Sequence, residues 1–309
     1  MHTSQVKYYP VIALVAILVM SFVTIVMSHS VQAAQPSVDL RTASPFAILS
    51  GTPNITDAGN ASVITGNVGL SPATGAGTML TCSQVTGTIY SVDAAGPLPC
   101  RITNAPLLLT AKNNLTTAYN DVAGRTPLTT LPTELGGRIL VAGVYDSSST
   151  TFGITAGAGA LVLDGQNDSS SVFIFQAPFS GNGLNVNSGS TVSLINGAQA
   201  CNVFWRVDSA AIDTTATFFG TILALNSITV ANGANIQGRL LARNGSVTLI
   251  NDTITASVCA GNDSTDTTPG LPDTGEASRK SSILWVTTLV FFASIASLLA
   301  YAFYKKRSI

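Results

Sequence analysis

Apolar residues along this chain recur at two different spacings, and each spacing predicts a different element. Residues 104–123 ("NAPLLLTAKNNLTTAYNDVA") put Leu108, Ala111, Leu115, Ala118, Tyr119 and Val122 three or four apart, on one stripe of a helix. Asn104 is placed to cap its start, Pro106 suits the first turn, and Gly124 stops it. One apolar stripe predicts one packed face, laid against something flat. Elsewhere the apolar residues fall in short runs bounded by Gly, Asn, Ser and Asp. Runs 172–176 (VFIFQ), 203–207 (VFWRV), 221–225 (TILAL) and 239–243 (RLLAR) are apolar on both faces at several positions. Strands with core on one side and a helix on the other read this way.

Some of these runs repeat. "GTILALNSITV" from Gly220 aligns with "GRLLARNGSVTL" from Gly238, 18 residues later, with one extra residue in the second copy; Trp205 likewise lies 18 before Leu223. A period near 18–20 with three short strands in each predicts a β-solenoid, with three faces per coil and parallel pairing between coils. A β-sandwich would instead need antiparallel hairpins and gives no reason for a repeat. A second ladder consists of small polar tetrads: Thr155-Ala-Gly-Ala158, Ser188-Gly-Ser-Thr191, Thr214-Thr-Ala-Thr217 and Asn232-Gly-Ala-Asn235. Each is soon followed by apolar residues and a Gly, which predicts one station on successive coils. Strict alternation would put the first and fourth positions on opposite faces, so each tetrad must contain a corner or bulge. Ser, Thr, Asn and Gly are also the residues that solenoid corners need for their own backbone.

The two ends read as export and attachment signals. Residues 11–27 are apolar behind Lys7, and Val31-Gln32-Ala33 fits a small-x-small cleavage site, which predicts a signal peptide over 1–34. At the far end, residues 283–304 are uncharged, mostly apolar and long enough to cross a bilayer, about 20 residues being required. The basic tail 305–309 carries Lys305, Lys306 and Arg307, which orients that span with its C-terminus inside the cell. Leu271, Pro272, Asp273, Thr274 and Gly275 ahead of it resemble the LPxTG sorting signal of Gram-positive wall proteins. The resemblance implies a sortase partner, cleavage after Thr274, attachment to peptidoglycan through Thr274, and membrane contact only before sorting. The expected location is the cell wall, with residues 260–270 a short linker below a domain of residues 35–259.

Charged residues make up 9% of the chain, with 14 Lys+Arg against 15 Asp+Glu, so there is no basic stripe for nucleic acid. Both histidines, His2 and His29, fall in the leader. The exported body therefore lacks histidine for acid–base work, triads or metal ligation. Asp164, Asp168, Asp208, Asp213 and Asp252 are scattered beside turn residues, unlike the paired carboxylates of polysaccharide-cleaving enzymes. Asp168 lacks the alternating acidic ligands of a calcium loop. No enzyme activity, metal or cofactor is expected. Four cysteines in an exported chain predict two disulfides with three possible pairings; Cys82 and Cys100 bracket a short Gly/Pro-rich segment and are the natural staple, leaving Cys201 with Cys259.

Blocks in order along the body resemble the DUF3494-type ice-binding proteins: "LRTASPFAILSG" at Leu40, "ITGNVGLSP" at Ile64, "GTIYSVDAAGP" at Gly87, "LTTAYNDVAGR" at Leu115, "LGGRILVAGVY" at Leu135, "LINGAQACNVFWRV" at Leu194 and the repeat from Gly220. The resemblance implies a right-handed parallel β-helix, a long helix along one face and a small capping insertion, here residues 82–100. It implies adsorption to ice by a flat face bearing T-A/G-x-T/N-like tetrads. The positions matched are Thr155, Ser188, Ser190, Thr191, Thr214, Thr215, Thr217, Asn232 and Asn235. No tetrad here fits that pattern fully, and Asp213 adds a charge beside the best one. The expected function is a wall-anchored ice-binding protein; the alternative is a wall adhesin or structural protein on the same scaffold with another ligand.

Overall fold

The computed structural model describes residues 35–260. The leader, the pentapeptide 271–275, the apolar run 283–304 and the basic tail lie outside the described residues, as does all but the start of the linker. Eighteen of the described strands form one sheet, and three more, Ile139–Val141, Leu161–Asp164 and Val192–Ile195, form a second. Every strand pairing among them is parallel, so the sandwich is excluded. The strands wind into a β-helix-like stack with three faces.

The first face runs, in order of pairing, Leu128–Leu131, Gly143–Ser147, 173–177, 203–207, 221–224, 239–242, Phe46–Ser50, Asn67–Leu70, Ile89–Ser91 and Arg101–Thr103. That is not chain order. The domain begins in the middle of the stack, coils to one end, and then crosses to the other on helix α1, Ala105–Ala123. From there it coils back until its last turn meets its first. Ten strands at about 4.8 Å spacing span roughly 43 Å. The 19-residue helix covers about 28 Å of that, its flanks the remainder.

Helix α1 forms as its spacing predicts. The Asn104 side chain accepts from Leu107 N at 3.0 Å, and the six stripe residues are all buried. They pack on Phe46, Leu49, Val144, Ile174, Phe204, Leu223 and Leu241, the outward residues of the first face. This explains why those strands are apolar on both sides. Gly69 belongs to the same surface, where a Cβ would lie 2.6 Å from Leu108 Cδ2. The inward residues form the core, centred on an aromatic stack. Phe175 lies 3.9 Å from Trp205 between ring centroids, with Tyr145 and Phe218 continuing the row at 5.4 and 5.3 Å.

The Gly220/Gly238 repeat is in register as its alignment predicts. The extension to Trp205 is corrected by one residue: Trp205 opposes Ile222, and Arg206 opposes Leu223. Parity requires this, since Trp205 points into the core while Leu223 lies under the helix. The disulfides are Cys82–Cys100 and Cys201–Cys259. The first encloses Val85–Thr86 and Ile89–Ser91, so the expected insertion includes two short strands of the stack.

Candidate functional site

The second face is built from Phe152–Ile154, 184–186, 210–212, Ile228–Val230, Val247–Leu249, Ile55–Asp57 and Thr78–Met79. Alternation sends the residues before and after each strand centre inward, nearly all apolar and buried. The centres point out: Gly153, Asn185, Ala211, Thr229, Thr248, Thr56 and Met79 form one in-register column. Three consecutive threonines occupy its middle.

The tetrads follow this face as corners. Val186, Ile212 and Val230 pair across coils, which places Ser188, Thr214 and Asn232 at one position. Backbone bonds lock the column: Gly189 N donates to Thr214 O, Thr215 N to Asn232 O, and Gly233 N to Ile250 O. The second positions, Gly189, Thr215, Gly233 and Asn251, are left-handed, with φ of 70°, 59°, 78° and 55°. That turn rotates the third positions inward, so Ser190, Ala216, Ala234 and Asp252 are buried. The fourth positions, Thr191, Thr217, Asn235 and Thr253, then point outward at the start of the third face, bridged in a row. The required corner is therefore the left-handed residue. Side chains also join along the column: Thr214 Oγ1 donates to Ser188 Oγ at 2.9 Å between first positions, and Nδ2 of the second-position Asn251 donates to Asn232 Oδ1 at 2.9 Å.

Two expected residues leave the array. Ser190 is 1% exposed, and its hydroxyl donates to Ile154 O at 2.7 Å, so it serves the corner and reaches no external surface. Thr155 follows Ile154 directly, whereas Ser188, Thr214 and Asn232 stand two residues beyond their paired strand ends. Its corner holds extra residues before Leu161 rejoins Val192, and its hydroxyl is taken by Glu134 Oε2. Asp213 is exposed beside Thr214.

Residues 48–255 match the family described as Ice-binding-like. The chain belongs to this family. An ice-binding protein of Colwellia sp is 44% identical over 236 residues, covering 75% of this chain and 88% of the relative. One from Flavobacterium frigoris (strain PS1) is 42% identical over 222 residues, covering 71% and 76%. The crystal structure of an ice binding protein from an Antarctic biological consortium matches with a TM-score of 0.63 at 34% identity, over 74% of this chain and 94% of that one.

In this ice-binding-like domain the threonine column was the element that tetrad searching missed. Its signal is a Thr between two inward residues of a short strand, apolar on both sides in "ITV" and "VTL" and on one side in "ITD", where Asp57 takes the other inward place. The fourth corner, with Asn251 and Thr253, was missed because it is one residue shorter. Two carboxylates lie where the last coil meets the first. Burial pushes the Asp57 carboxyl up, but hydrogen bonds from Ser62, Asn251 and Gly59 outweigh it and hold it below the ordinary range. Burial, aided by the Asp57 charge, pushes Asp252 up to about 6 against hydrogen bonds from Ile250 and Ala234. Among the described residues no group of three His, Cys, Asp or Glu could hold a metal ion, and no helix is long and apolar enough to cross a membrane.

Proposed function

We propose that the protein adsorbs to ice through the second face and its corner. The observation that carries this reading is the in-register column Thr229–Thr248–Thr56 beside Ser188, Thr214 and Asn232. Neighbours stand about 4.8 Å apart between coils, and the corner residues Ser188, Thr214 and Asn232, each three residues beyond a strand centre, set a second column beside the first. Thr has few χ1 states, so little rotamer entropy is lost on binding. Its methyl is apolar while its hydroxyl donates and accepts, so the face can hold ordered waters that merge with a lattice. Asp213 is the one charge among the outward residues named, and charge would hold liquid water instead. The activity of the relatives supports the same reading. We further propose that the stack winds right-handed, as parallel crossovers strongly prefer, and that the Cys82–Cys100 loop shields the end strand Arg101–Thr103 from edge pairing.

The attachment signals complete the proposal. Sortase joins Thr274 to peptidoglycan, and the linker of residues 260–270 spans at most ~40 Å, which keeps the domain close to the wall. The test is ice recrystallisation inhibition and thermal hysteresis with Thr229→Tyr, Thr248→Tyr and Thr217→Tyr. Activity should fall at least tenfold in the first two, because one bulky ring breaks the flatness on which many weak contacts depend. Loss confined to Thr217→Tyr would move the site to the third face. A folded protein with no activity in any form would favour an adhesin with a non-ice ligand.

A further inference from the structure

Three cations gather beside helix α1, and among the described residues no carboxylate forms an ion pair with them. Lys112 donates through Nζ to the carbonyl oxygens of Ala242 and Arg243 at 2.7 and 2.6 Å. Arg206 and Arg243 hold their guanidinium carbons 4.4 and 4.8 Å from the centre of the Tyr119 ring. Their Nε atoms are engaged, that of Arg206 with Tyr119 O at 3.1 Å and that of Arg243 with Thr116 Oγ1 at 3.3 Å. No hydrogen bond from their Nη atoms occurs among the described residues. The ion pairs there lie elsewhere, at Arg41–Asp39 and Arg125–Asp121. Asp208 is near enough to influence Tyr119, but its oxygens accept from Asn226 Nδ2 at 2.9 Å and Ser209 Oγ at 3.2 Å.

This concentration is unusual in a chain with 9% charged residues. The three side chains are half-buried, so solvent screens them incompletely. Burial first, then the Arg243 charge, pulls the Lys112 ammonium down to about 7. Tyr119 meanwhile fixes both guanidinium groups, which lowers the entropy lost if their outer edges bind something. We propose that Lys112, Arg206 and Arg243 form a binding site for a phosphate group, free or carried in a phosphodiester polymer. Each guanidinium edge offers a fork of N–H donors matched to an oxyanion. The two arginines come from strands two coils apart, roughly 10 Å, so they approach a ligand from different sides. A phosphate with several outward oxygens fits that arrangement better than a planar carboxylate. The site flanks the corner between the first and second faces, and none of its residues belongs to the threonine column.

The full-length protein should be titrated calorimetrically with inorganic phosphate and with a soluble glycerol-phosphate oligomer, at constant ionic strength set by chloride. Saturable binding is expected, weakened about tenfold or more in Lys112→Met and in Arg243→Gln, because each removes a charge-assisted contact. With the oligomer, whose phosphodiester groups do not titrate near neutral pH, a bound anion favours the ammonium form, so wild type should take up a proton near pH 7, seen as heat that depends on the buffer. That uptake should vanish in Lys112→Met, a change that a purely structural role for the lysine would not produce. Equal affinity for the two ligands would assign free phosphate; much tighter binding of the oligomer would assign the polymer. No saturable heat with either ligand, or affinity unchanged in the variants, would overturn the proposal. Should Arg243→Gln fail to fold, Lys112→Met carries the same test.

Discussion

Thr215 occupies a backbone conformation that its neighbours in the corner column give to Gly189, Gly233 and Asn251. A β-branched residue at φ 59° crowds its Cβ against the following carbonyl, at a cost of roughly 1–2 kcal/mol. Its hydroxyl recovers part of this by donating to Thr214 O at 2.7 Å. Thr215→Gly should therefore stabilise the domain by about 1 kcal/mol, net of the added freedom of the unfolded chain, and raise Tm by about 2–4 °C. Differential scanning calorimetry reads this directly, and an unchanged or lower Tm would count against strain at the corner. The same residue shows where the sequence stops being legible. Thr214-Thr-Ala-Thr217 reads as one run of hydroxyls, yet the left-handed Thr215 divides it, turning Ala216 into the core and Thr217 out onto the third face. Ser190 and Thr191 divide the same way, one inward and one outward, for the same reason.

The strands carry a different lesson. Helix α1 and the four strands beneath it were readable because each is a local pattern: a stripe of buried residues, or a run apolar on both faces. The threonine column was not, because Thr248 and Thr56 lie far apart in the chain and meet only when the last coil pairs with the first. No local spacing encodes that meeting. Its polar chemistry gives it a pH dependence. Asp252 N donates to Ser62 Oγ across this junction at 2.9 Å, and Asn251 N donates to Asp57 Oδ1 at 3.0 Å. Asp252 is raised from an ordinary 3.8 to about 6, so the folded form binds the proton more tightly. Its contribution to stability is present below 3.8 and is lost as pH rises through about 6; the difference corresponds to about 3 kcal/mol. Asp57, held low, works in the opposite direction and loses its contribution as the solution becomes more acidic than its ordinary range. Denaturant unfolding at pH 4 and pH 7 should show a decline for wild type across that window. Asp252→Asn should flatten it, and an equal decline in the variant would remove Asp252 as its source.

At the scale of the molecule, the three faces and the parallel pairing between coils followed from the repeat, but the order of the coils did not. A solenoid read from its period is expected to run from one end to the other. This one starts and finishes in the middle, with α1 as the return path, because buried helix residues hold strands from both halves together. The chain's entry and exit consequently meet: the Ser37 hydroxyl donates to Asn202 Oδ1, and Cys259 is bonded to the adjoining Cys201. That bond determines how the protein carries load. Tension applied at Ala260 enters Cys259 and passes directly into Cys201, and so bypasses the coils between them, which hold Thr229 and Thr248. In single-molecule extension from residue 35 to residue 260, the oxidised protein should fall short of the reduced one by about 260 Å of contour, about 200 Å of it from the shielded segment of sequence separation 58 and the rest from the Cys82–Cys100 loop of separation 18. Equal lengths would mean the bypass is absent. Pulled by its two chain ends, the domain would thus stretch through its other coils while the segment that presents Thr229 and Thr248 stayed slack behind its covalent bridge.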